Sequence, residues 1–153
     1  MALRQSGILT RRISGPVWLD YSCLMQGLHL TADLRQCQCD ATWLTDAALL
    51  GRRCVLAVQA AGLQAVAELF HTFPPTPHGP SGVTATVLLA ESHLCVHTWP
   101  EQSAVTLDVY VCNFGGDHST KARLLLDDLL ALFVPLQVTE NALQRGELTA
   151  RSA

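Results

Sequence analysis

The alternation in residues 105–112 restricts this chain most: Val105, Leu107, Val109 and Val111 fall on one side of an extended backbone, Asp108, Tyr110 and Cys112 on the other. A strand that is apolar on one side only belongs to a sheet with one packed face, and its second face must be polar or covered. Residues 28–34 repeat the pattern, with Leu28, Leu30, Ala32 and Leu34 against His29, Thr31 and Asp33. Further strands are expected at 63–73, 83–90, 93–98 and, briefly, 136–140. Helical stripes separate them. Leu50, Cys54, Val58 and Ala61 line one helix over residues 45–61, which Gly62 stops and Gly51 weakens by about 1 kcal/mol. Ala122, Leu125, Leu126, Leu129, Leu132 and Phe133 line another, capped by Ser119 and ended by Pro135. The run FPPTPHGPSG reads as a loop, because proline blocks ladder hydrogen bonds and glycine admits left-handed turns. This order predicts an α+β fold, a two-layer sandwich with helices packed on one face of a mainly antiparallel sheet.

With 153 residues, 49% hydrophobic and 15% charged, the chain suits one well-buried core. No run approaches the ~20 apolar residues of a bilayer helix, so no membrane span is expected. Ten basic against thirteen acidic residues give a net charge of −3, which argues against a binder that must neutralise nucleic-acid phosphates. Six cysteines (Cys23, Cys37, Cys39, Cys54, Cys95, Cys112) follow an N-terminus without the apolar core of a secretory signal. A reducing cytoplasm with free thiols is therefore expected. Cys37 and Cys39 lack the second Cys/His pair of a structural zinc site. Residues 1–24 show no period and are expected to form a disordered extension, with Met25 a possible start. The domain is expected over 25–146, with a polar tail over 147–153. So many apolar residues in so small a domain make a homodimer an expectation too.

Chemistry concentrates in ESHLCVHTWPE, residues 91–101. Ser92, His97 and Asp108 supply the residue types of a hydrolase triad, but Ser92 lacks the G-x-S-x-G elbow that exposes a nucleophile. His93, Cys95 and His97 share one face of a strand, as metal ligands would, without a fourth ligand nearby in sequence. A third possibility is a half-buried strand whose histidines hydrogen-bond in the sheet and whose Trp99 fills the core.

The same segment resembles the self-processing region of the bacterial and archaeal S-adenosylmethionine decarboxylases, pyruvoyl enzymes of polyamine synthesis. Gly27-Leu28-His29-Leu30 with Ala32-Asp33 resembles that family's opening strand, and Phe70-His71-Thr72-Phe73 its His-x-Phe strand end. Gly82-Val83-Thr84-Ala85 resembles its processing turn, and residues 107–112 the strand carrying its catalytic cysteine. The resemblance covers about residues 25–146.

What the resemblance implies is a self-cleaving decarboxylase. The Ser92 hydroxyl would attack the Glu91 carbonyl to give an ester, β-elimination would free the chain ending at Glu91, and hydrolysis would leave a pyruvoyl group at position 92. That group would form a Schiff base with the substrate amine, with no metal and no pyridoxal phosphate. By the same resemblance His97 is the processing base, Thr84 supports processing with a hydroxyl that carries an extra methyl, and Cys112 donates the proton after decarboxylation. Phe73 would stack on adenine, Glu101 would accept the ribose hydroxyls, and Asp33 matches an acidic position of the family. The implied assembly is a homodimer of cleaved heterodimers. The same chemistry on ornithine or arginine, and an unprocessed homologue acting as a subunit, are the alternatives.

Overall fold

Every alternating segment becomes a strand, and six strands join one antiparallel sheet in the order β2-β3-β4-β5-β1-β6. The computed structural model describes residues 26–77 and 79–146, so the expectations for residues 1–24 and 147–153 lie outside the described residues. The strands are β1 (Gly27–Cys37), β2 (Ala65–Thr72), β3 (Val83–Leu89), β4 (Ser92–Trp99), β5 (Ala104–Cys112) and β6 (Pro135–Arg145). The helices are α1 (Thr42–Thr45), α2 (Ala47–Ala60) and α3 (Ser119–Phe133). Leu28, Leu30, Ala32 and Leu34 of β1 and Val105, Leu107, Val109 and Val111 of β5 are buried under the helices. The α+β two-layer arrangement follows from that one-sided burial.

The helix expected over 45–61 is α2, divided from the short α1 before it by Asp46. Its carboxylate accepts the backbone N–H groups of Ala48 and Leu49, both at 2.9 Å, and so caps α2. Gly51, an interior helix glycine, has a packing reason. A Cβ there would stand 3.1 Å from the Phe70 ring, so glycine lets β2 close onto α2. Ser119 does not cap α3. Asp117 accepts the Ser119 N–H at 2.8 Å, because a carboxylate two residues earlier reaches the first turn. Val134, with φ 47°, closes α3, and Pro135 opens β6.

β6 extends beyond the expected 136–140, to Arg145. Its hydrogen bonds come from β1, with Gly27 opposite Arg145 and Cys37 opposite Pro135, so pairing does not depend on alternation in β6 itself. Arg53 of α2 donates two bonds of 2.7 Å to the Asp128 carboxylate of α3 and ties the helices together. Among the described residues, no helix is long and apolar enough to cross a membrane.

Candidate active site

Polar side chains stand in rows across the sheet face that no helix covers. Strand register sets one row as His71, Thr84, His97, Thr106 and Asp33, running from β2 through β3, β4 and β5 to β1. A parallel row is Leu88, His93, Tyr110, His29 and Leu143. Between them lies Thr86, Cys95, Asp108 and Thr31. Residues directly opposite one another share a face, so period-two patterning alone assembles these rows.

The first row holds the Thr84–His97 pair, with Thr84 Oγ1 2.8 Å from His97 Nδ1. Both strands are pinned beside it by Thr98, the one buried polar residue among the described residues. Its hydroxyl accepts the Val83 N–H and donates to the Leu44 carbonyl, each at 2.7 Å. Gly82 completes the close approach: a Cβ there would lie 1.8 Å from the Thr98 carbonyl oxygen, so no side chain fits.

An open cavity of about 570 Å³ adjoins this pair, lined by Phe73, Gly82, His97, Trp99 and Glu101 among others. That volume matches the usual range for small-molecule sites. Phe73 is 49% exposed, its N–H bonds to the Gly82 carbonyl at 3.0 Å, and His71 meets its ring edge-on at 5.3 Å. Pro100–Gln102 form a 3-10 turn that carries Glu101 to the rim. Asp33 does not line this cavity. It is exposed on β1 in a shallower depression that also touches Trp99.

The Glu91–Ser92 bond lies at the other end of β4, in the tight connection from β3. The Glu91 carbonyl oxygen accepts the Cys112 backbone N–H at 2.8 Å. Ser92 Oγ lies 3.4 Å from His93 Nδ1. Cys112 is half-buried at the end of β5 and pairs with Gly27, where a Cβ would stand 2.5 Å from the Val111 carbonyl oxygen. Beside them His29 Nε2 lies 3.2 Å from Asp108 Oδ1, and Arg145 Nη1 lies 3.1 Å from His29 Nδ1. The Arg145 guanidinium also covers the Tyr110 ring at 5.3 Å.

The structure thus gathers Thr84, His97, Phe73 and Glu101 at one end, and Glu91, Ser92 and Cys112 at the other. Five residue steps along β4 separate Ser92 from His97, about 16 Å at strand rise. Asp108 turns to His29, so Ser92, His97 and Asp108 form no hydrolase triad. Among the described residues no three His, Cys, Asp or Glu side chains converge as a metal set, and His93, Cys95 and His97 are spread along one strand. Sequence patterning passed over Thr98, although a hydroxyl at an inward-facing strand position was its signal. Nor does patterning single out Arg145, which lies beyond the alternation visible over 136–140.

Comparison with known proteins agrees across sequence and structure. The family model described as S-adenosylmethionine decarboxylase matches residues 28–146. A protein of Aquifex aeolicus named S-adenosylmethionine decarboxylase proenzyme is 37% identical over 120 residues, covering 78% of this chain and 81% of its own length. One of the same name from Picrophilus torridus is 35% identical over 120 residues, covering 78% and 84%. The crystal structure of the adenosylmethionine decarboxylase from Aquifex aeolicus superposes with a TM-score of 0.70 at 32% identity, over 85% of this chain and 98% of that one.

Proposed function

The chain belongs to the S-adenosylmethionine decarboxylase family, a self-processing carboxy-lyase of polyamine synthesis, and from that premise we propose where its two reactions take place. Cleavage falls between Glu91 and Ser92. The observation that carries this is the Cys112 N–H held 2.8 Å from the Glu91 carbonyl oxygen, which gives the oxyanion of the attacked amide a fixed donor. Attack by the Ser92 hydroxyl exchanges the amide for an ester. Loss of the Ser92 α-proton and of the Glu91 carboxylate then leaves dehydroalanine, which water converts to a pyruvoyl group with release of ammonia.

The residues fit that group: position 92 begins a strand beside an exposed turn, and the Cys112 thiol stands at the same end of the sheet. Once formed, the group supplies a carbonyl for the substrate's α-amine and a sink for the electrons released with carbon dioxide. Cys112 serves as the proton donor to the decarboxylated carbon. Phe73 offers a stacking face for adenine and Glu101 a carboxylate for the ribose hydroxyls, both on the rim of the 570 Å³ cavity. Asp33 is assigned to the substrate's periphery. The domain is read as residues 25–146, and its place as the cytoplasm.

His97, held by Thr84, is the base for α-proton removal. About 16 Å along β4 is too far for it to serve Ser92 of its own chain. We therefore assign the active form to a dimer whose bare sheet faces meet about a twofold axis. Each site then joins Ser92 and Cys112 of one protomer to Thr84, His97, Phe73 and Glu101 of its partner. Packed sheets lie about 10 Å apart, within reach of side chains from both.

Intact mass and a carbon dioxide assay test the first reading: wild-type protein should yield a chain ending at Glu91, a pyruvoyl-blocked chain, and turnover of S-adenosylmethionine. A protein that stays one chain under all conditions overturns it. Complementation tests the second. Ser92→Ala and His97→Ala chains should each fail to cleave alone, whereas co-expression should cleave the His97→Ala chain. No cleavage in the mixed dimer returns the site to one protomer.

A further inference from the structure

We propose that His93 is the proton acceptor for the first step of self-processing, the attack of the Ser92 hydroxyl on the Glu91 carbonyl, so that each step uses its own histidine. This rests on the reading that the chain cleaves itself between Glu91 and Ser92. His93 Nδ1 stands 3.4 Å from Ser92 Oγ in the same protomer, a distance that catalytic hydrogen bonds shorten as the reacting geometry forms. His97 stands at the far end of the strand with its Nδ1 on Thr84. Two jobs and two differently placed imidazoles make the division natural.

The surroundings hold His93 in one place. Tyr110 packs against its ring at 5.6 Å and His29 edge-on at 6.3 Å, and the Arg145 guanidinium lies over the Tyr110 ring. The groups that face it are His29 from β1, Asp108 and Tyr110 from β5, Arg145 from β6 and the apolar Leu88 from β3. Burial pushes the His93 pKa below its ordinary value, and His29 and Arg145 act in the same direction against Asp108. The ring therefore keeps a free lone pair at neutral pH.

The step balances without an outside reagent. Ser92 Oγ bonds to the Glu91 carbonyl carbon and its proton passes to His93 Nδ1, while the charge on the Glu91 oxygen meets the Cys112 N–H. Collapse breaks the bond from that carbon to the Ser92 nitrogen, which takes the proton back from His93. An ester and a free amine result.

The test uses the His97→Ala chain, in which the ester should accumulate and hydroxylamine should cut it after residue 91. Adding His93→Gln or His93→Ala should slow appearance of the hydroxylamine-cut product by at least ~10²-fold. Ester formation with His93 present should fall at acidic pH along a limb centred below the ordinary histidine value, and Asp108→Asn should move that limb to lower pH. An unchanged rate in both His93 variants overturns the assignment while leaving self-cleavage standing. Wild-type protein that never cleaves at this bond overturns the parent reading instead. Should the variants not fold by circular dichroism, the pH limb decides, and its absence overturns the proposal.

Discussion

Replacing Thr98 by valine removes one oxygen and strands two backbone groups. The side chains have nearly the same shape, so no cavity forms. The Val83 N–H and the Leu44 carbonyl each lose a 2.7 Å partner at a site only 5% exposed, where water cannot substitute. A buried polar group left unpaired costs about 1–3 kcal/mol. Two such groups, less the gain from burying a methyl, give a loss of about 2–4 kcal/mol. For a chain of this size that corresponds to a fall in Tm of roughly 4–15 °C. The measurement belongs in a Ser92→Ala background, where one covalent species unfolds. Thr98→Ser keeps the hydroxyl and loses one methyl, and should cost about 1 kcal/mol. Because Val83 precedes Thr84, the valine variant should also slow self-cleavage with Ser92 restored. A Tm within ~2 °C of the parent, or serine worse than valine, would refute the clamp.

Other outcomes follow from the same geometry. Arg53→Ala should cost about 0.5–1 kcal/mol, since its bidentate partner is partly solvated. The Arg53 hydrogen bonds hold the Asp128 carboxyl below its ordinary value, so that stabilisation is present above about pH 4 and is lost as pH falls through the depressed folded value. Urea titrations of wild type and Arg53→Ala should converge in acid. Cys112→Ala keeps the backbone N–H on Glu91, so cleavage by gel should persist while carbon dioxide release fails. Phe73→Ala should lower kcat/KM for S-adenosylmethionine by roughly 5- to 150-fold with cleavage intact, and Glu101→Gln should act in the same direction.

Strands were legible because burial on one face writes a period of two directly into Val105, Leu107, Val109 and Val111. The end of β6 was not. Its pairing is owed to the β1 backbone, and an edge strand with both sides largely exposed carries no alternation to read. Helix caps were half legible. Ser119 has the right chemistry for a cap, yet Asp117 is placed by the preceding turn to do the work, and only coordinates separate the two. Part of the candidate site is legible in the segment 91–101, which carries Glu91, Ser92, His97 and Glu101, but its arrangement is not. A motif groups Ser92 with His97 by role, whereas a strand sets them about 16 Å apart.

That separation explains why the bare face is so polar. A sheet serving only as scaffold would gain by covering that face with its own helix, as the other face does. Here the rows that pass through His97 and His93 would be blocked by such a cover. In the proposed dimer a second copy of the same rows, turned by a twofold, would cover the face and bring the partner's His97 toward Ser92 at once. Thr84 stands opposite His97 on that face, so in the proposed dimer its methyl would bear on how closely the two sheets approach. Glycine at positions 27 and 82 removes side-chain bulk near the two ends of the site, where a Cβ would collide with the Val111 and Thr98 carbonyl oxygens. On the dimer proposal the chemistry is built where backbones come closest, and water is excluded only once two chains have met.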